Sequence, residues 1–418
     1  MKKIIIIGVN AVGARYLPRS LRALGYEPVF VLDPGRFAGA AREELLGCAC
    51  YPADIRNWPE VLAMFAARPE ITEGVEAISS LYDEQFPLTE TIARTYGLLH
   101  PEPAFARLAE KAEIVRLIPE YCPPTQLFAA ADWAGADPAG VGAGADGVIL
   151  KPSVQAGAMG LTSLTAHHTP ADVRDAIAAS GLWDAHEQTW LLQARIAGRL
   201  ISLEGYARDG KVFFVGFSIR GRIGSTEVSN LFPGDGRLSE LVRARCAEAV
   251  TALVDTSGMR DGYFHCEFIE TGDSAHLIDG NVGRFAGGAV VEQIALAHGV
   301  TPYDILGHVI TLGLGPEHAA PDPAYRAPER ATPTMSFFYG LRGGGLVESI
   351  SLPPDTNCTH TQVAADGTEV VPVGVDDRAW VGMFTGYLDE AVRDIDRVTI
   401  HTPDGPRKPA YVVAGSTA

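Results

Sequence analysis

A lysine closes the apolar run Val148 to Leu150, and the residues after Lys151 are small, with glycines at Gly157 and Gly160. Backbone amides of such a loop approach phosphate oxygens closely because glycine carries no Cβ, and the lysine adds a point charge beside them. The same pattern describes a surface lysine whose stem lies along an apolar strand. Farther on, Glu267 lies in the run Gly262 to Ile269, and Asp279 and Asn281 follow in a second run from His276. Alternation with period two puts Asp279 and Asn281 on one face of a strand. A hairpin turning within Glu270 to Ser274 sets Glu267 on the neighbouring strand, close enough to share an ion with them. Oxygen ligands of this kind suit Mg²⁺, which completes an octahedral shell with water and phosphates. The bland alternative is a hairpin with solvated carboxylates on its outer face.

These side chains need a scaffold, and its opening is legible. Lys3 to Ile7 is a β-branched run followed by a turn with Gly8 and Gly13 and then a helical pattern through Leu17, Leu21 and Leu24. Strand patterns at Pro28 to Leu32 and Val75 to Leu81 alternate with helical ones at Val61 to Ala67 and Leu88 to Tyr96, which argues a parallel sheet with helices on its faces. The Gly8 to Gly13 turn lacks the middle glycine of the dinucleotide fingerprint, so a nicotinamide-binding reading rests on that turn alone. Tyr82 to Gln85 follows a strand at the end where α/β proteins bind ligands, and the segment reads either as a substrate contact or as a helix cap. Past a helix containing Lys111 and a small-residue stretch from Ala129 to Gly147, strands are expected at Gly147 to Lys151 and Thr189 to Ile196. A Pro/Ala-rich connection over Gly313 to Thr332 leads to a last unit with strands at Met335 to Tyr339, Glu369 to Val373 and Arg397 to His401 and a helix near Tyr387 to Ile395.

The composition bounds the function. With 418 residues, 47% apolar and 20% charged, the chain is globular and holds several packed units. A net charge of −17 without a basic stripe argues against a nucleic-acid partner. No run approaches the roughly 20 apolar residues that span a bilayer, and the six cysteines are scattered, which favours reduced thiols in a cytoplasm.

Taken in order, these motifs resemble the ATP-grasp superfamily. They are the opening strand, turn and helix; Lys111; Lys151 to Gly160; Leu191 to Gly198; Ser202 to Glu204; and Glu267, Asp279, Asn281 and Arg284. Within it the chain looks most like the carboxylate-amine ligases that include L-amino acid ligases, through Gly262 to Glu267, Gly287-Gly288, Gly299 to Asp304 and the segment from Met335. The resemblance implies an α/β fold with four parts: an N-terminal parallel-sheet domain (1–100), a linker helix and α+β lid (101–188), a central antiparallel sheet with the metal site (189–315) and a small C-terminal α+β subdomain (316–418).

By position, the resemblance implies that Lys111 and Lys151 contact ATP phosphates under a loop from Ser153 through Gly157 to Gly160. It implies a hinge at Gln193, Ala194 and Ile196 that reads the adenine, a ribose or metal-side contact at Glu204, and a further cation at Arg220. Glu267, Asp279 and Asn281 would hold two Mg²⁺ ions, with Mn²⁺ as a substitute. Arg284 and the amides of Gly287 and Gly288 would stabilise the oxyanion formed when a nucleophile attacks an acylphosphate. Gln193 stands where many relatives have glutamate, Leu200 where several have an acid, and Asn281 and Arg284 are one residue farther apart than usual. His265 is expected to orient Glu267 or simply to pack, and Glu227 to hold an amine. The implied reaction joins a small carboxylic or amino acid to an amine, releasing ADP and phosphate, in a protein that forms homodimers. The alternatives keep the fold but use a carrier-protein thiol or bicarbonate, or retain nucleotide binding without chemistry.

Overall fold

Residues 1–142, 146–155, 159–182, 184–375 and 377–415 are described by a computed structural model. Four parallel strands, in the spatial order Ala49–Tyr51, Tyr26–Val31, Lys2–Ile7, Val75–Ser79, form its first sheet. The isoleucine run in the central strand is apolar on both faces because both are covered. Ile4 and Ile6 pack with Leu17 and Leu21 on one side, and Ile5 and Ile7 with Val61, Phe65 and Ile92 on the other.

A second sheet is antiparallel and small, in the order Thr125–Ala129, Thr189–Ala194, Val148–Pro152, Thr162–Leu164. The helix Pro170–Ala179 covers it through Val173 and Ile177, and starts at a capping box between Thr169 and Asp172. This sheet carries Lys151 near the end of a strand in which Val148 and Leu150 are buried.

The third sheet has eight antiparallel strands, ordered Ser274–Val282, Gly262–Thr271, Arg199–Arg208, Lys211–Ile223, Thr226–Phe232, Thr334–Gly340, Trp380–Tyr387, Thr359–Gln362. Its first two strands form the expected hairpin, turning tightly at Gly272 and Asp273, since Thr271 pairs with Ser274. The C-terminal segment is continuous with this sheet through its last three strands. One face packs on the helix Glu240–Ser257, which Ser239 caps at its start and Gly258 ends in a left-handed conformation at φ 70°. The core on the other face continues through Ile294 and Val309 to Leu17 and Leu21, so one apolar body fixes the parallel sheet to the large one.

Among the described residues no helix is long and apolar enough to cross a membrane, and all six cysteines are free thiols.

Candidate functional site

The three sheets meet around a cleft of about 580 Å³, within the size range of small-molecule sites. Its walls include Lys111, Lys151, Glu267, Asp279, Asn281 and Arg284.

The hairpin register places Glu267 directly opposite Asp279, and His265 opposite Asn281. Lys111 reaches this hairpin from its helix: Nζ lies 3.2 Å from Asp279 Oδ2 and donates to the Gln155 carbonyl at 2.8 Å. Lys151 Nζ donates to the Ile278 carbonyl at 2.8 Å. The structure thus brings both lysines to the strand that bears Asp279 and Asn281. Their electrostatics differ. Burial opposes the charge on Lys111, but Asp279 and Asp83 outweigh it and hold the ammonium above its usual range. Burial lowers Lys151 to about 8, with Asp279 opposing and Lys111 adding to the fall.

Glu267 is held from behind by a buried relay. His265 Nε2 lies 3.0 Å from Glu267 Oε1, and His265 Nδ1 lies 2.8 Å from Glu204 Oε1. Burial and the neighbouring Arg220 push the imidazole down, yet the two carboxylates outweigh them and raise its pKa. Burial also works against the Glu267 charge, and His265, Arg220 and Arg284 hold its pKa far below the usual carboxylate range. His265 therefore orients a proposed ligand rather than only filling the core. Arg220 pairs with Glu227 and bonds Ser202 Oγ through Nε at 3.4 Å, which holds it beside His265.

Arg284 is aimed by its neighbours. Nη2 donates to Asn281 Oδ1 at 2.7 Å and Nε to Asp83 Oδ1 at 2.7 Å. The extra residue between Asn281 and Arg284 is accommodated by Gly283, whose φ of +76° favours glycine. Gly287 and Gly288 line the cleft, and a Cβ built on Gly287 would meet open space. Among the described residues, their amides meet no protein acceptor.

Several expected contacts lie elsewhere. Glu204 is fully buried and bonds Ser202 and His265, so it cannot touch a ribose; it forms the layer behind Glu267. The Gln193 side chain turns to the neighbouring strand, where Nε2 donates to Thr125 Oγ1 at 2.9 Å. The amide of Ala194 is taken by the Pro124 carbonyl. Neither residue, nor half-buried Ile196, lines the cleft. Ser153 belongs to the scaffold, because its carbonyl and hydroxyl accept from the amides of Lys111 and Ala112 and cap that helix. Gly160 lies at φ +71° packed near Pro152, and Gly157 falls outside the described residues. Glu227 is engaged by Arg220 rather than free for an amine. The helix-cap reading of Tyr82 to Gln85 also fails: no side chain there caps the next helix, and Asp83 instead holds Arg284.

The sequence reading missed Arg36, Arg56, Phe338 and Trp380, all of which line the cleft. The two arginines follow the second and third parallel strands, so the rule that ligands bind at the carboxyl ends of such strands could have found them. Gly8 and Gly13 serve packing, since a Cβ on either would overlap Tyr82 and Leu81, respectively.

No protein-family profile matches the sequence, and no curated protein matches it by sequence. Solved structures do match over nearly the whole chain. Phosphoribosylglycinamide synthetase from Anaerococcus prevotii aligns at TM-score 0.66 with 13% identity, over 96% of this chain and 99% of that one. L-amino acid ligase from Bacillus licheniformis gives 0.68 and 15%, over 96% and 99%. Biotin carboxylase from Campylobacter jejuni gives 0.64 and 16%, over 98% and 93%. At these identities the likeness establishes the fold.

Proposed function

We propose that this chain, which has the ATP-grasp fold, is an ATP-dependent ligase. In this reading it activates a small carboxylic or amino acid as an acylphosphate and transfers it to an amine, with release of ADP and phosphate. The observation that carries the reading is the approach of Lys111 and Lys151 to the hairpin bearing Glu267, Asp279 and Asn281, all on one cleft. Structural neighbours named as an L-amino acid ligase and a phosphoribosylglycinamide synthetase support it.

The donor set fits a hard divalent cation. Glu267 and Asp279 face each other in register, and Asn281 supplies an amide oxygen beside Arg284. Among the described residues no group of three or more His, Cys, Asp or Glu could hold a metal, so water and nucleotide phosphates would complete the shell. Mg²⁺ or Mn²⁺ held there would neutralise charge on the transferring phosphate.

The chain's own groups do the rest. Lys111 and Lys151 hold phosphate oxygens by fixed charge. Arg284, locked by Asp83 and Asn281, is rigid enough to face an oxyanion without reorganising. The open amides of Gly287 and Gly288 donate to the same oxygen.

A phosphate-release screen with Mg-ATP over paired amino acids and small acids, read by mass spectrometry, tests this. The expected products are ADP, phosphate and an amide. AMP with pyrophosphate, or turnover needing neither Mg²⁺ nor a carboxylate, overturns it; activity with bicarbonate alone, or an acyl thioester product, selects the corresponding alternative.

A further inference from the structure

One wall of the cleft is built by the parallel sheet and is not used by the chemistry above. Arg36 follows the strand Tyr26–Val31, Arg56 follows Ala49–Tyr51, and Tyr82 and Glu84 follow Val75–Ser79; all four line the cavity. Elsewhere in the cleft the cations have partners: Lys111 meets Asp279, Arg220 meets Glu227, and Arg284 meets Asp83. On this wall Arg56 is paired with Asp54 at 3.3 Å, but the Arg36 guanidinium has no side-chain partner among the described residues. The Tyr82 hydroxyl has none either, and Glu84 Oε2 is buried without a hydrogen bond. Arg36, Arg56 and Tyr82 thus line one stretch of the same cleft, at the carboxyl ends of three strands of the parallel sheet.

Unspent donors in a cleft are an invitation to a ligand. A guanidinium presents a fork of N–H groups matched to carboxylate or phosphate, and the phenol adds one donor beside it. An anion is therefore what the unmatched charge selects. Glu84 Oε2 can accept from an amine or hydroxyl; burial, with Asp83 adjacent, raises its carboxyl to about 7, so near neutrality it can also donate.

We propose that this wall recognises the part of the substrate remote from the reacting carboxylate. Arg36, Arg56 and Tyr82 take a second anionic group, and Glu84 faces an amine or hydroxyl of the same molecule. The proposal rests on the ligase reading and adds to it that one substrate carries an anionic side group.

Calorimetry on the full chain tests it with L-alanine, L-aspartate and O-phospho-L-serine as probes, each with and without a non-hydrolysable ATP analogue and Mg²⁺. Wild-type protein should bind aspartate or phosphoserine at least tenfold tighter than alanine, and the better of the two identifies the anion as carboxylate or phosphate. Arg36→Gln and Arg56→Gln, both exposed at the rim, should erase that preference and leave affinity for the nucleotide analogue unchanged. Equal binding of the three probes, binding of none, or a preference that survives both substitutions overturns the site. Failure of the wild-type chain to bind the nucleotide analogue overturns the ligase reading instead.

Discussion

Glu267 and Asp279 stand directly opposite each other across one hairpin, and each carboxylate is held by a different side chain, Glu267 by His265 and Asp279 by Lys111. Two anions can share so small a space because cations stand near each, Arg220 and Arg284 by Glu267 and Lys111 by Asp279. In the proposed reaction both carboxylates face the divalent ions, Asp279 while also accepting from the Gly280 amide at 3.0 Å. Glu267→Gln keeps the shape and removes one charge. Activity should fall by at least the roughly hundredfold that disturbing a metal site costs. The Mg²⁺ concentration for half-maximal rate should rise as well. A Mg²⁺ titration of phosphate release checks both.

Glu204 lies behind His265 and does not itself line the cleft. Glu204→Gln should therefore act through Glu267, lowering Mg²⁺ affinity or activity on the order of 10- to 100-fold, as loss of an outer partner does. Nucleotide affinity measured without metal should stay unchanged, which separates orientation of the ligand from damage to the nucleotide pocket.

Lys151 predicts a pH dependence. Its pKa is lowered to about 8 by burial, so the ammonium that would hold phosphate is lost as pH rises through that value. Nucleotide affinity should weaken above it, and Lys151→Arg, which stays charged, should remove the inflection. The nucleotide-free protein should respond oppositely. Between about 8 and the ordinary value of 10.5, the unfolded chain binds this proton and the folded one does not. This group therefore makes folding more favourable as pH rises across that window. Calorimetric affinity and denaturant midpoints over the same pH range check the two signs.

Gly283 supports the aim of Arg284. It has φ +76°, and a Cβ there would overlap the rings of Phe86 and Phe105. Gly283→Ala should destabilise the protein by about 1–3 kcal/mol from backbone strain alone, with the clash adding to it. Urea unfolding measures that cost. Residual activity of the folded fraction should fall too, since the Arg284 bonds to Asp83 and Asn281 depend on the same turn.

What the sequence made legible was local and periodic. The isoleucine run announced a strand covered on both faces, and strict alternation put Asp279 and Asn281 on one face opposite Glu267. Depth was not legible. Glu204 and Ser153 occupy motif positions, yet one is enclosed behind His265 and the other caps the Lys111 helix, because sheet packing decides which layer a polar side chain occupies. Gln193 shows the same limit: alternation gave its strand but not that its amide would turn to Thr125. Distant partners were also out of reach. Nothing near Arg284 announces Asp83, and nothing near Thr334–Gly340 announces that it pairs with Thr226–Phe232. Such contacts come from tertiary closure, for which the chain carries no local signature.

The central claim is that a carboxylate oxygen attacks the terminal phosphate of ATP in this cleft. The direct measurement follows isotopically labelled carboxylate oxygen from the acid substrate into the products of a single turnover. The account predicts one labelled oxygen in inorganic phosphate, unlabelled ADP, and loss of transfer in Lys151→Met and Glu267→Gln. Label in AMP, or phosphate released from ATP with no carboxylate oxygen in it, would contradict the account.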